Sequence, residues 1–161
     1  MRHRWLFSFL IGISSSIGLS AGLSVAEKTF NLQETTIAEI QEAVVAGALS
    51  SEKLVELYLA RIAAYDRAGP RLNSIIYINP NAKVEAAALD RERAEKGPRG
   101  SLHGIPVLLK DNIDVADMPT TNGSAVMKDV IPPEDGSITK ALRAAGAVIL
   151  GRWASDPRAC R

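Results

Sequence analysis

The sequence has almost none of the residues that form disulfides or hold transition metals. Its 161 residues include one cysteine, Cys160, and two histidines. A single thiol closes no intrachain disulfide, and the chain contains neither a His-Glu-x-x-His spacing nor a pair of Cys-x-x-Cys motifs. Two phosphate-binding glycine patterns, Gly-x-Gly-x-x-Gly and Gly-x-x-x-x-Gly-Lys-Ser/Thr, are missing as well. We therefore expect no structural zinc, no nucleotide and no other cofactor.

The sequence also lacks an excess of charge of one sign. It carries 19 lysines and arginines against 18 aspartates and glutamates, which gives a formal net charge of +1 with histidine neutral. A basic stripe that would favour nucleic acid or an anionic membrane surface has no support in this balance. We predict no nucleic-acid partner.

No apolar run is long enough to cross a membrane. The apolar residues 6–13 stop at three serines, well short of the ~18 unbroken apolar residues that a spanning helix needs. Two arginines precede the run and the small-x-small site Ser24-Val25-Ala26 follows it, which is the layout of a secretory signal peptide. We therefore expect residues 1–26 to be cleaved off and the rest to be exported, to the periplasm or outside the cell, with no stable membrane span. An uncleaved anchor is the alternative.

The remaining residues, 27–161, have the length of one domain. Cleavage removes Arg2 and Arg4 from the 19 basic residues and none of the 18 acidic ones, so the formal net charge becomes about −1. This near-neutral balance again offers no surface for a polyanion.

Hydrophobic periodicity predicts alternating helices and strands. Apolar residues recur at helical spacing, behind capping or breaking residues, in four stretches: about 37–46, 51–66, 81–96 and 138–145. Apolar or β-branched runs typical of buried strands cover 72–78, 105–109 and 147–150. A further short strand is expected around Ile113 and Val115. Strand, helix and strand in this order predict an α/β fold in which helices cover a mixed sheet.

Lys110 stands directly behind an apolar strand. An ammonium is costly to remove from water, so a lysine at the rim of a core reaches solvent, pairs with a carboxylate, or gives up its proton for chemistry. The residues alone leave these three roles open. Apolar walls from Leu108, Leu109 and Ile113 would favour the neutral form of a lysine base. Asp111 would favour the charged form, so it has to point away from the amine.

His103 is the one histidine of residues 27–161 and lies in a loop flanked by glycines. A Ser-His-Asp triad would have to use it, but the sequence contains no nucleophile-elbow motif to supply the serine. We therefore expect His103 to form hydrogen bonds within its loop rather than to act in catalysis.

Five blocks in one order resemble the amidase signature family of serine hydrolases. The longest block, which contains Lys110, is Gly-Ile-Pro-Val-Leu-Leu-Lys-Asp-Asn-Ile-Asp at 104–114. The other blocks are Leu-Asn-Ser-Ile-Ile-Tyr at 72–77, Gly-Ser-Leu-His-Gly at 100–104, Pro-Thr-Thr-Asn-Gly-Ser at 119–124 and Ala-Ala-Gly-Ala-Val-Ile-Leu-Gly at 144–151. The resemblance covers about residues 31–151, and several blocks in order are more specific than any one of them.

The resemblance implies an enzyme that hydrolyses the C–N bond of small carboxylic amides without a cofactor. It implies a Ser-cis-Ser-Lys triad in which Lys110 matches the base. The two serines of that triad belong to a Gly/Ser-rich signature that no part of the 161 residues matches. Thr120, Thr121 and Ser124 lie in the resembling blocks but do not match the triad serines.

The last residues depart from the family pattern. Behind the Leu-Gly block the family continues with a Lys or Arg, an Asn and a Ser-Glu-Trp/Phe-Ala stretch, whereas residues 151–161 are Gly-Arg-Trp-Ala-Ser-Asp-Pro-Arg-Ala-Cys-Arg. A shortened segment, a frameshift and a fragment all remain open. We expect residues 27–161 to be the amino-terminal part of a secreted amidase-like domain, truncated before the Gly/Ser-rich signature and inactive alone. The alternatives are a non-catalytic α/β binding module and a truncated product without independent function.

Overall fold

The computed structural model describes residues 32–154, so the predicted signal peptide at 1–26 and Cys160 lie outside the described residues. The helices are α1 (Ile37–Val45), α2 (Ser51–Ile62), α3 (Ala82–Lys96) and α4 (Ser137–Ala144). The strands are β1 (Ile75–Ile78), β2 (Pro106–Lys110) and β3 (Val148–Trp153). A π-helical turn, Ala63–Arg67, extends α2, and a 3-10 turn, Ala125–Met127, lies between β2 and α4. The predicted helices and the three main strands are confirmed, and within residues 32–154 no helix reaches the length and apolarity of a membrane span.

Strand β3 is the centre of the sheet. The strand order is β1-β3-β2, with β1 antiparallel and β2 parallel to β3. The parallel pair is connected through α4, because parallel neighbours need a crossover rather than a tight turn. All residues of β3 except Trp153 are buried, as expected of a strand that is covered on both faces. The predicted α/β class, with helices covering a small mixed sheet, is confirmed.

Alternate residues of β3 contribute to two apolar clusters. Val148 and Leu150 pack with residues of α2 and α3, namely Val55, Ala82, Ala86 and Leu89. Ile149 packs with residues that follow or end β2, namely Leu109, Val115 and Met118, and Leu142 of α4 lies against them. Full burial of one such aliphatic side chain stabilises the fold by roughly 1.5–3 kcal/mol. Burial on both sides therefore fixes β3, and β2 beside it, between the helices.

Gly151 allows β1 to approach β3 closely. A Cβ atom at this position would lie 2.4 Å from the carbonyl oxygen of Tyr77 and 3.2 Å from the Cα atom of Ile78. Backbone atoms of a central strand pair cannot move aside as a flexible side chain can. Glycine is therefore required here for the sheet to close.

Strand β1 is shorter than the predicted strand. Arg71 and Asn73 have φ angles of 53° and 49°, which are left-handed and end any extended run. The buried carboxylate of Asp66 accepts hydrogen bonds from the backbone N–H of Ser74 at 2.6 Å and of Ile75 at 3.3 Å. The backbone N–H groups at the start of β1 are therefore held by Asp66 in the π-helical turn, while the carbonyl oxygen of Ser74 accepts from the backbone N–H of Ala154, directly behind β3, at 2.9 Å.

The expected strand around Ile113 and Val115 does not form, so this prediction is wrong. Val115 makes one isolated antiparallel bridge to Met118. The backbone N–H of Ile113 instead donates to the carbonyl oxygen of Lys110 at 3.0 Å. The chain thus turns at the end of β2 instead of starting a new strand.

Candidate active site

Lys110 is the last residue of β2, where the apolar strand meets solvent. It pairs in register with Trp153 of β3, and the backbone N–H of Asp111 donates to the carbonyl oxygen of Trp153 at 3.0 Å. The Lys110 side chain is exposed, whereas Leu109 and Asp111 on either side of it are buried. The predicted position at the end of a core strand is confirmed, while the catalytic role of Lys110 stays a prediction.

The apolar neighbours of Lys110 face the core. Leu109 is buried beside Val115 and Met118, and Leu108 and Ile113 are half-buried against the two clusters that cover the sheet. These side chains hold the strand in place. Within the part of the chain that the structure describes, they do not form the expected apolar wall around Lys110, which is exposed, because they pack into the core instead.

The carboxylate of Asp111 is buried and accepts several hydrogen bonds. It accepts hydrogen bonds from Nε of Arg152 at 3.1 Å, from the backbone N–H of Thr121 at 3.2 Å and from the backbone N–H of Gly123 at 3.1 Å. The hydroxyl of Thr121 donates to the same carboxylate. Burial alone raises the pKa of this carboxyl, but the hydrogen bonds from Thr121 and Gly123 and the charge of Arg152 outweigh burial and hold the pKa below its usual range. This arrangement agrees with the expectation that Asp111 points away from the amine of Lys110.

Arg152 is the buried cation that balances the charge of Asp111. Its side chain is 0% exposed, and its Nη2 donates to the carbonyl oxygen of Ile113 at 2.7 Å while Nε holds the carboxylate. A buried charge is costly unless it is both paired and hydrogen-bonded, and here it is both. Nη1 has no partner among residues 32–154. Arg152 thus connects β3 to both ends of the segment 111–113.

One of the two threonine hydroxyls in the loop behind β2, that of Thr121, supports the carboxylate of Asp111. Thr121 donates to Asp111, and its carbonyl oxygen accepts from the backbone N–H of Ser124 at 2.8 Å. Thr120 is buried, its backbone N–H donates to the carbonyl oxygen of Val130 at 2.9 Å, and its hydroxyl has no partner within the described residues. The structure therefore gives Thr121 a supporting role, in agreement with its mismatch to the triad serines.

His103 is buried and joins three parts of the chain. Both ring nitrogens are hydrogen-bonded to backbone groups, and its carbonyl oxygen accepts from Nε2 of Gln41 at 3.0 Å and from Nη2 of Arg93 at 2.8 Å. The prediction that His103 forms hydrogen bonds in its loop is confirmed. Within residues 32–154, no group of three or more His, Cys, Asp or Glu side chains is arranged to hold a metal ion.

Sequence reasoning missed the role of Arg152. The predicted strand stopped at Leu150, whereas β3 continues to Trp153 and buries the guanidinium. The available signal was a charged residue directly behind a buried apolar run, since a buried arginine requires a carboxylate partner. The carboxyl ends of parallel strands meet at one edge of a sheet, so the residue behind β2, Asp111, was the natural candidate.

The Amidase family model matches residues 53–157, a range that contains β2, β3, Lys110 and the Asp111–Arg152 ion pair. The chain therefore belongs to the amidase family, and its fold matches that of amidase signature enzymes.

Native peptide amidase from Stenotrophomonas maltophilia is similar in structure, with a TM-score of 0.72 and 50% sequence identity, and the match covers 74% of this chain and 24% of that one. An amidase family protein from Bacillus anthracis is also similar in structure, with a TM-score of 0.72 and 40% sequence identity, and the match covers 79% of this chain and 27% of that one. Indoleacetamide hydrolase of Bradyrhizobium diazoefficiens is 37% identical over 110 residues, which are 68% of this chain and 20% of that protein. The chain thus spans 20% to 27% of the length of these relatives.

Proposed function

We propose that this chain is part of an amidase that hydrolyses the C–N bond of small carboxylic amides, with Lys110 as the base of its triad. The observation that carries the proposal is the position of Lys110, which is the exposed residue at the end of β2 and lies inside the family match. Two of the relatives are a peptide amidase and an indoleacetamide hydrolase, and their names support an amide as the substrate class.

In the proposed reaction, the neutral amine of Lys110 accepts the proton of the cis-serine hydroxyl. That serine accepts the proton of the second serine as the second serine attacks the amide carbonyl carbon. The C–N bond then breaks, the amine leaves with a proton returned along the same relay, and water hydrolyses the acyl-enzyme. Backbone N–H groups stabilise the oxyanion. Lys110 therefore moves a proton at Nζ and forms no bond to the substrate.

The environment of Lys110 supports this role in one respect. A lysine base has to be neutral, and an unbalanced carboxylate nearby would stabilise its ammonium instead. The adjacent carboxylate, Asp111, is balanced by Arg152 and bound by Thr121. We further propose that the remaining parts of the family fold cover the end of β2 and keep water from the amine.

We propose that the 161-residue polypeptide does not hydrolyse amides by itself. Without the cis-serine Lys110 has no relay, and without the second serine no acyl-enzyme forms. Loss of one oxyanion donor alone lowers kcat by about 10²–10³-fold. We also propose that residues 27–161 are exported, which the layout of residues 1–26 supports.

A chimaera tests the role of Lys110. The segment aligned with Stenotrophomonas maltophilia peptide amidase replaces the corresponding quarter of that enzyme, which supplies the rest of the fold. With a peptide amide as substrate, we expect turnover by the chimaera and a fall in kcat of about 10³-fold in its Lys110→Ala variant. Lys128→Ala, which removes another exposed lysine, is the matched control and leaves kcat unchanged.

The same assay tests the short chain. We expect no turnover by the purified 161-residue polypeptide once contaminating hydrolases are excluded. Turnover that Lys110→Ala abolishes in the short chain would overturn the inactivity and direct the search for a nucleophile to Ser101, Thr120, Thr121 and Ser124. Full activity of the Lys110→Ala chimaera would overturn the assignment of the base.

A further inference from the structure

We infer that Arg152 is a positioning residue for Lys110. Its guanidinium binds Asp111 and Ile113 in the turn that begins at Lys110, and it thereby fixes the direction in which β2 presents the lysine side chain. The inference deepens the proposed function and rests on it, because it concerns the direction of the same lysine side chain, that of Lys110.

The turn behind Lys110 is closed by one backbone hydrogen bond, and the side chain of Arg152 bridges two of its residues. The backbone bond runs from the N–H of Ile113 to the carbonyl oxygen of Lys110 at 3.0 Å. Arg152 reaches the same turn twice, with Nε at 3.1 Å from Oδ1 of Asp111 and Nη2 at 2.7 Å from the carbonyl oxygen of Ile113. Because a guanidinium presents its donors in a rigid plane, two contacts from one side chain fix the distance between Asp111 and Ile113.

Arg152 lies on the central strand of the sheet, which has a partner strand on each side. Arg152 lies on β3, where it pairs with Tyr77 of β1 on one side and with Leu109 of β2 on the other. Its side chain is 0% exposed, whereas that of Lys110 is exposed. Through Arg152, the position of the buried strand β3 therefore determines the position of the turn behind the exposed Lys110.

Stability alone is a weak reason for this buried ion pair. Replacing a buried pair with apolar side chains of similar volume is often neutral or stabilising. A proton acceptor, in contrast, has to lie within about 2.6–3.2 Å of the proton donor, and a misplacement of about 1 Å costs about 10²-fold in rate. The long lysine side chain adjusts its own torsion angles. The fold therefore controls the position of the amine only through the direction of the backbone at Lys110.

Amide hydrogen exchange of the 161-residue chain, read by NMR, tests the contact without any catalysis. In Arg152→Met we expect the amide of Ile113 to exchange at least about 10-fold faster relative to the amide of Leu54, a reference in α2, since the turn opens on its own. Arg152→Lys keeps a cation beside Asp111 but lacks the planar pair of donors, so we expect it to recover only part of the protection. If Arg152→Met does not fold, Arg152→Gln, which also removes the guanidinium and its charge, carries the same expectation.

A control variant separates this effect from the loss of an ion-paired arginine elsewhere in the fold. Arg143 of α4 forms ion pairs with Glu85, Asp117 and Asp135, away from the turn. Arg143→Met therefore leaves the exchange of Ile113 relative to Leu54 unchanged. A merely structural role of Arg152 would speed both amides equally, and that result would overturn the inference.

The chimaera with peptide amidase supplies the kinetic readout. We expect Arg152→Met to lower kcat by about 10–100-fold with KM changed less than about threefold, because the aim of the base matters in the transition state and not in substrate binding. Arg152→Lys recovers only part of kcat, because it cannot bind Asp111 and Ile113 at the same time, and Arg143→Met leaves both constants unchanged. An unchanged kcat in a folded Arg152→Met chimaera whose activity depends on Lys110 would overturn the inference. If activity proves independent of Lys110, the proposed function fails, and hydrogen exchange still decides whether Arg152 holds the turn.

Discussion

The imidazole of His103 joins the loop before β2 to helix α3, with Nε2 at 2.9 Å from the carbonyl oxygen of Leu89. On the other side of the ring, Nδ1 accepts the backbone N–H of Arg99 at 3.2 Å. Because Nδ1 is an acceptor, Nε2 carries the proton that Leu89 accepts. One fully buried side chain therefore satisfies two backbone groups that belong to different segments.

Replacing His103 by leucine should destabilise the protein. The substitution leaves the buried carbonyl oxygen of Leu89 without its partner, which costs about 1–3 kcal/mol, and the N–H of the exposed Arg99 loses its acceptor at a smaller cost. We expect the free energy of unfolding in urea to fall by about 1–3 kcal/mol. Ser101→Ala, at an exposed position of the same loop, should change it by less than about 0.5 kcal/mol. Equal stability of the two variants would contradict this account of His103.

Gly151→Ala should be far more harmful than Gly100→Ala. The new Cβ at 151 would meet the carbonyl oxygen of Tyr77 at 2.4 Å, whereas a Cβ at 100 has nothing within 4 Å. Because β1 and β3 would have to separate, we expect Gly151→Ala to lower the free energy of unfolding by about 2–4 kcal/mol. Gly100→Ala should be neutral within about 0.5 kcal/mol. Parallel urea titrations of both variants measure the difference, and similar midpoints would refute the close approach.

Asp111 should make the free energy of unfolding depend on pH in the acidic range. Its pKa in the folded protein lies below the unfolded value of about 3.9, because the hydrogen bonds and the Arg152 charge outweigh its burial. Such a carboxylate stabilises the fold above the unfolded pKa, and this stabilisation is lost as the pH falls through the folded pKa. Asp111→Asn should therefore be less stable than wild type at pH 7, and the gap should narrow below about pH 4. Urea unfolding between pH 7 and pH 3 measures it, and a constant gap would disprove this linkage.

Export predicts a defined amino terminus. In a secreting host we expect the product to begin at or within a residue or two of Glu27, because the small-x-small site Ser24-Val25-Ala26 precedes it. Intact mass and amino-terminal sequencing of the purified protein measure this directly. Ala26→Arg, which places a large charged side chain at the cleavage site, should leave the leader attached. A cytoplasmic product that retains residues 1–26 would disprove export.

Much of the fold could be predicted because the apolar pattern is local. Helical spacing located α1 to α4, and an apolar run followed by a lysine located the end of β2 at Lys110. These signals depend on neighbours within a few residues, so the sequence alone carries them. The family resemblance then added the chemical role of Lys110, which no local pattern supplies.

The errors of prediction lie where distant residues compete for the same backbone. Strand β1 begins late because Asp66 binds the N–H groups of Ser74 and Ile75. Strand β3 extends to Trp153 because β1 and β2 pair with it on both sides, and that pairing buries Arg152. Both outcomes depend on contacts between segments far apart in the sequence, which periodicity does not contain.

The central place of β3 sets the order in which the described sheet can assemble during translation. Strands β1 and β2 pair with β3 and not with each other, yet β3 is the last of the three to be synthesised. At roughly 5–20 residues per second, the nascent chain presents β1 for several seconds before its partner leaves the ribosome. Helices α2 and α3 can form in that interval, but the apolar residues of β2 stay without their neighbour. This segment of the nascent chain therefore keeps its apolar side chains unpaired until residues 148–153 emerge.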